Sequence, residues 1–372
     1  MKRRLITSAF ALAMAVAGST AAHADKFVYS FWFGANHTAN TMALQPYLKM
    51  LREESEGKID WDLVPGAQLA SGPGTPEAVG DGLIDAGLAI APYQPKLMAA
   101  TNTIFAYSLL GDNTLAAAGA MNEAVMLGCP QCQDEYHRMN GVGFAGYATT
   151  PYVFMCRDVI ESVEDLKGLK VRSSGAGVLI SEIAGATPVS MSPGDATTAL
   201  ERGTLDCVLG AVSWLKSYSY QDVVKSVVDS PMGTGGPPLL MFVNRDVWQG
   251  MTPEMRALHI KHAPDLVAGA SFDAQMVHDA EIKKQAEAAG VIFTPTDEGF
   301  ESLMAELDTR QRESVLAHAR DAGVENPEKI LDYYLNAYDR WQALLDEEGR
   351  DRETFVRLLW DEIYSKVDPE TL

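Results

Sequence analysis

The run Ala86-Gly-Leu-Ala-Ile-Ala91 carries no polar side chain over six successive residues. That length matches a single strand, and a strand apolar on both sides must be covered on both faces, as parallel strands are between helical layers. The flanking sequence supplies such layers. Residues 27–33 read as a strand and 59–64 alternate as another. Residues 40–54 place Met42, Leu44, Tyr47, Leu48 and Leu51 at helical spacing, and 75–82 suit a short helix. Strand and helix in alternation predict a doubly wound α/β lobe.

The alternation resumes downstream: strands at 142–147, 152–156, 169–172, 188–190 and 207–210, with helices at 177–184 and 194–202. A second α/β lobe is expected there. Gly233-Thr-Gly-Gly-Pro-Pro238 then reads as a turn-rich crossing, and 239–243 as a strand returning to the first lobe. Apart from a strand at 291–294, the rest is helical in pattern, at 253–289, 298–323, 326–349 and 351–366, long enough for spines running across both lobes. A length of 372 residues also suits two lobes, at roughly 150 residues per domain. The expected division is a leader at 1–24, a first lobe of 25–149 with 236–280, a second of 150–235 with 281–345, and a C-terminal helical segment at 346–372.

The leader begins with Lys2, Arg3 and Arg4, continues through an apolar stretch to Gly18, and ends with small residues at Ala22 and Ala24. This is the pattern of a secretory signal cleaved after Ala24. No later stretch approaches the roughly 18 apolar residues of a membrane span, and no Cys near the cleavage site could take a lipid, so a freely diffusing periplasmic protein is expected. With 30 Lys and Arg against 50 Asp and Glu, the formal charge is −20, which argues against nucleic acid as a partner.

Four cysteines in an oxidising compartment could form up to two bridges. Cys129-Pro-Gln-Cys132 lacks both a thioredoxin-like context and a second Cys pair for zinc, so a small local disulfide is favoured over a reactive or metal role. Cys156 and Cys207 stand apart in sequence, and Cys207 reads as a buried small hydrophobe. No phosphate-binding loop, zinc-protease helix, nucleophile elbow or zinc-deaminase pattern occurs. Gly175-Ala-Gly177 lacks the third glycine of a dinucleotide site. The turn Ser173-Ser-Gly-Ala-Gly177, leading into a helix, instead suits a bound anion, with Ser174 among its residues. No cofactor, metal site or catalytic set is expected.

Three further segments carry a family likeness. Val163-Glu-Asp-Leu-Lys-Gly-Leu-Lys-Val-Arg172, then Gly185-Ala-Thr-Pro-Val189, then Ala199-Leu-Glu-Arg-Gly-Thr-Leu-Asp-Cys207 resemble the signature of the solute receptors of tripartite ATP-independent periplasmic (TRAP) transporters. Ser55-Glu-Gly-Lys-Ile59, Pro65-Gly-Ala-Gln-Leu69 and Gly82-Leu-Ile-Asp-Ala86 are similar to the family's opening, so the likeness covers nearly all of the mature chain. The resemblance implies a two-lobed flytrap that captures an organic acid and hands it to membrane permease subunits driven by an ion gradient. It also implies that Arg172 holds the ligand's carboxylate. A guanidinium offers two parallel N–H donors, a fork that Lys cannot reproduce.

Departures from the family pattern mark this chain's own cleft. Sialic-acid-type members carry a second pocket Arg where this chain has Tyr152, and Cys207 replaces a glycine before Gly210-Ala-Val-Ser-Trp214. Trp214, Tyr152, Trp32, Phe33 and Tyr93 all follow or adjoin strand ends, where ligands of open α/β sheets sit, and with Gly210 they outline an aromatic-rich cleft. The expected function is a periplasmic receptor for a small organic acid. Two alternatives stay open: an exported enzyme drawing on Asp195, Asp206, His37 or Cys207, and a receptor whose aromatic cage holds a carboxylate zwitterion.

Overall fold

The computed structural model describes residues 25–108, 113–236 and 238–372. The expected leader, 1–24, lies outside the described residues. The described residues hold eleven strands. In chain order they are β1 (Asp25–Phe31), β2 (Ile59–Pro65), β3 (Ala86–Ala89), β4 (Gly141–Gly146), β5 (Val153–Cys156) and β6 (Lys170–Arg172). They continue with β7 (Thr187–Val189), β8 (Cys207–Gly210), β9 (Ser226–Val228), β10 (Leu239–Asn244) and β11 (Ile292–Thr294). β3 is buried along its whole length, as its apolar run requires.

Two sheets form, one ordered β2-β1-β3-β10-β4 and the other β11-β9-β5-β8-β6-β7. Each is mixed rather than purely parallel, and each has a single strand running against its neighbours. In the first sheet β10 is antiparallel to both β3 and β4. In the second β5 is antiparallel to both β8 and β9. The reason is the route of the chain. β4 leads directly into β5 of the other sheet, β9 leads back into β10, and the outgoing and returning strands lie side by side in both sheets. No crossover helix intervenes to restore a parallel sense.

Between the sheets the two crossings remain hydrogen-bonded. Thr149 N–H donates to Gly235 O (3.1 Å), Tyr152 N–H to Gly233 O (2.9 Å), and Met232 N–H to Tyr152 O (2.8 Å). Gly236, at φ +153°, is needed here, because a Cβ would stand 2.6 Å from Tyr147 O. Such a two-stranded ribbon bends more readily than it stretches, the property of a hinge between lobes.

Helices cover both sheets and divide the apolar side chains into two cores. The helix Glu298–Asp321 is a spine across both: Phe300, Leu303 and Leu307 enter the second core, while Val315, Leu316 and Ala319 enter the first. The helix Pro327–Glu348 packs in the first core through Tyr334 and Trp341, so assigning all of 281–345 to the second lobe is at odds with the packing from Val315 onward. A spine that long reaches past its own lobe. The helix Thr114–Glu123 is buried on every side, with Gly119 admitting the Trp341 ring, which a Cβ would approach to 2.2 Å. A helix buried all round has no amphipathic stripe, so periodicity did not single it out.

Both cysteine pairs are bridged. Cys129–Cys132 is the local disulfide expected at the start of the helix Pro130–Arg138. Cys156 and Cys207, which stand apart in sequence, are also joined, because the register of β5 against β8 sets them opposite one another. Cys207 is buried as expected, but as half of a cross-strand bridge.

Candidate functional site

Arg172 closes β6, between Val189 of β7 and Val208 of β8, in the interior of the second sheet. A long cation there has no route to solvent along the strand, and it is 2% exposed. Its Nε donates to Met191 O at 2.9 Å and its Nη2 to the Tyr93 hydroxyl at 3.3 Å, while Nη1 has no partner among the described residues. Burial acts to lower its pKa, yet the hydroxyls of Tyr93, Tyr220, Tyr152 and Tyr218 more than offset this and the net shift is upward. The group stays cationic at every physiological pH, ringed by tyrosines, with no ion pair to a carboxylate among the described residues.

The second lobe also supplies the aromatic face against this cation. The guanidinium lies 5.3 Å from the centroid of Trp214, which opens the short helix Trp214–Ser217 just beyond β8. Gly210 makes that placement possible, since a Cβ would stand 2.1 Å from the indole. Tyr152 packs 5.4 Å from Trp214 and Tyr218 meets its edge at 5.6 Å. Gly210 therefore shapes the cleft from behind the indole.

The first lobe brings a different wall. Trp32 and Phe33 follow β1, and Trp32 Nε1 is pinned by a 2.9 Å bond to Leu88 O. Tyr93, just past β3, lies 5.8 Å from Trp32 and reaches across to Arg172. Phe33 meets Tyr218 edge-on at 5.8 Å and stacks on His37 at 4.2 Å. His37 is 2% exposed, and burial pushes its pKa down to about 3, so the ring is neutral. A cavity of about 290 Å³ lies between the lobes, bounded by Trp32 and Phe33 on one side and by Ser192, Thr197 and Tyr218 on the other. A larger one of about 490 Å³, between Asn102, Val178 and His318, is lined by none of the expected site residues.

The structure thus gathers Arg172, Trp214, Tyr152, Tyr93, Trp32 and Phe33 beyond the carboxyl ends of β1, β3, β6 and β8. Ser174 is not joined to them. Its carbonyl accepts from Gly177 N–H and Gly175 O from Val178 N–H, so the turn itself takes up two of its amides, and Gly175 packs against Phe105 of the other lobe. Tyr218 and Tyr220 were not singled out from the sequence; the only local sign is their repetition at a two-residue interval just after Trp214. Of the groups considered for catalysis, Cys207 is held in a disulfide and Asp206 accepts the Lys170 N–H at 2.8 Å. Asp195 accepts from Ser192 Oγ at 2.6 Å, at the start of the helix Pro193–Glu201. No nucleophile is paired with a base among them. No cluster of His, Cys, Asp and Glu suited to a metal occurs among the described residues, nor any helix long and apolar enough to cross a membrane.

Two α/β lobes joined by a paired ribbon, with buried side chains meeting across the cleft, define the class of two-lobed solute-binding proteins. A family model described as DctP, bacterial extracellular solute-binding protein, family 7, matches residues 31–315. The chain belongs to that family.

Solved structures agree on the fold. A marine metagenome TRAP solute-binding protein specific for aromatic acid ligands is 20% identical, with a TM-score of 0.75, over 85% of this chain and 99% of its own. A TRAP periplasmic solute-binding protein from Bordetella bronchiseptica, with bound mandelate, is 20% identical with a TM-score of 0.72, over 85% and 99%. An extracytoplasmic solute receptor from Bordetella pertussis that binds pyroglutamic acid is 14% identical with a TM-score of 0.72, over 83% and 99%.

Proposed function

We propose that this protein is a periplasmic receptor that takes a small organic acid into the cleft, binds its carboxylate at Arg172 and delivers it to the membrane permease subunits of a TRAP system. The observation that carries this reading is the state of Arg172: a cation 2% exposed, with no carboxylate paired to it and Nη1 left unpartnered among the described residues. A buried charge of this kind is costly alone and is compensated by an anion with fork geometry. The marine metagenome relative was solved with metahydroxyphenylacetate and the Bordetella bronchiseptica one with mandelate, both carboxylates with aromatic bodies. That chemistry suits Trp214, Tyr152, Trp32, Phe33 and Tyr93.

Residues 25–149 with 236–280, extended by the helices from Val315 onward, form the first lobe in this reading, and 150–235 with the segment through Leu307 form the second. The face of Trp214 is already occupied by Arg172 itself, which leaves the aromatic-cage alternative for a quaternary ammonium without its best ring.

A thermal-shift screen against small carboxylates tests the proposal, since a ligand bound only to the folded state stabilises it by RT ln(1 + [L]/Kd). A carboxylate that raises the melting temperature and is recovered unchanged is the expected result. A ligand recovered chemically altered favours an enzyme, and no response to any carboxylate at millimolar concentration overturns the assignment.

A further inference from the structure

Arg172 Nη1 is not the only buried polar atom here without a partner among the described residues. His37 Nε2 and Tyr218 Oη are two more; Tyr218 bounds the 290 Å³ cavity, and His37 stacks on Phe33, which bounds it too. Their rings lie 5.2 Å apart across the lobe boundary, His37 from the first lobe and Tyr218 from the second. The Tyr218 hydroxyl is close enough to Tyr93, Tyr220 and Arg172 to interact electrostatically with all three.

The protonation of His37 follows from its hydrogen bond. Nδ1 accepts the Ala39 N–H at 3.1 Å, so the ring proton sits on Nε2 and that atom is a donor. An imidazolium would turn a second N–H onto the Ala39 N–H. His37 therefore offers one neutral donor, and Tyr218 offers a neutral hydroxyl.

Among the described residues no second cation accompanies them. Neither the residues bounding the 290 Å³ cavity nor the rings around Arg172 include a Lys or another Arg. Carboxylates also lie nearby: Asp195 is near enough to Tyr93 and Tyr220 to raise their pKa values, and Asp279 is hydrogen-bonded to Thr150 and to the Ser213 backbone.

Resting on the carboxylate assignment above, we infer that this receptor selects monocarboxylates whose body carries a neutral hydrogen-bond acceptor, received by His37 Nε2 and Tyr218 Oη, and rejects dicarboxylates. A hydroxyl or carbonyl oxygen pairs the two donors that are otherwise left buried and unmatched. A second carboxylate would be desolvated with no counter-charge and with Asp195 nearby, a cost that neutral donors do not offset.

Titration calorimetry on the exported protein tests this with three matched pairs, phenylacetate with mandelate, phenylacetate with 3-hydroxyphenylacetate, and benzoate with 3-hydroxybenzoate, together with succinate and phthalate. In at least one pair the hydroxyl should improve affinity roughly tenfold, the scale of satisfying a buried donor. The dicarboxylates should bind on the order of a hundredfold more weakly than the best monocarboxylate. His37→Phe keeps a ring for stacking on Phe33, and Tyr218→Phe removes only the hydroxyl. In either variant the hydroxyl's gain should vanish, each hydroxylated acid then binding within about twofold of its parent acid to that same variant. Should His37→Phe fail to fold, Tyr218→Phe and the wild-type ratios still decide. Equal affinities within all three pairs, a dicarboxylate as the best ligand, or a gain that survives both variants overturns the inference and leaves the Arg172 assignment standing. Absence of binding by every acid in the panel removes both.

Discussion

The two walls of the cleft differ in kind. The second lobe presents a fixed charge backed by rings, with Arg172 against Trp214 and Tyr152 and Tyr218 packed on that indole. The first presents Trp32, Phe33 and a neutral His37, and sends the Tyr93 hydroxyl across to Arg172. In the proposed function these walls divide two tasks: the charged wall captures an anion, and the neutral wall closes over it and reads its body. A ligand touching both walls then favours the closed state by its differential contacts.

Removing the charge from one wall and bulk from the other probes this division most strongly. Arg172→Ala should weaken carboxylate binding by roughly thirtyfold to several thousandfold, about 2–5 kcal/mol for truncating one side of a buried charge pair, with Arg172→Lys in between. Phe33→Ala should cost less, because it removes area without stranding a charge. Calorimetry with one identified acid compares the variants, and equal losses at the two positions would remove the asymmetry.

The two disulfides offer a second contrast, now in stability. Cys156–Cys207 closes a sequence separation of 51 and Cys129–Cys132 one of 3. Loop-closure entropy gives about 4 kcal/mol for the first and about 2 kcal/mol for the second. Urea titration of the two paired Cys→Ala variants should rank them in that order. Denatured, unreduced protein should show no free thiol, and detection of a free pair would contradict the second bridge.

Glycines behind the two indoles give a smaller effect. A Cβ at Gly210 would lie 2.1 Å from Trp214, and one at Gly72 would lie 3.0 Å from Trp32. Gly210→Ala should destabilise by about 1–3 kcal/mol and disturb the Arg172 contact, while Gly72→Ala should do less. Thermal melts with and without ligand separate the two consequences.

The smallest contrast is in pH dependence. Burial raises the carboxyl of Asp279, on the helix Val277–Ala288, to about 6. Because the folded value lies above the unfolded one of about 4, this group stabilises the fold when protonated, and that contribution is lost as pH rises from about 4 through 6. Asp279→Asn should therefore raise stability near pH 7 by about 1–2 kcal/mol and leave it unchanged near pH 4. His37 has the opposite slope. Its folded value of about 3 lies below the unfolded one, so stability falls as pH drops below about 6.5, and His37→Phe should flatten that acid limb. Denaturation midpoints across pH 4–8 check both signs.

Much of this was legible from residues read in order. The Ala86–Ala89 strand, the helices around Gly177 and Gly194 and the long C-terminal spines follow from local periodicity, which a short window captures. Arg172 and its aromatic neighbours followed from strand-end positions and from the family likeness. His37 was weighed only as a possible catalytic group, and Tyr218 and Tyr220 were missed, because their importance lies in contacts with residues more than a hundred positions away or on a different strand end.

By itself the amino-acid sequence determined the alternation of strand and helix in two α/β lobes, the Cys129–Cys132 pair and the cation at the end of β6. All of these depend on residues a few positions apart, whose spacing is set by the backbone repeat of helix or strand. Only the tertiary structure decided that each sheet contains one reversed strand, that Cys156 meets Cys207, and that a neutral His37 stands against Tyr218 beside Arg172. Those outcomes rest on register and on the return of the chain through the second crossing, where residues far apart in sequence are brought together by pairing geometry that no local window contains.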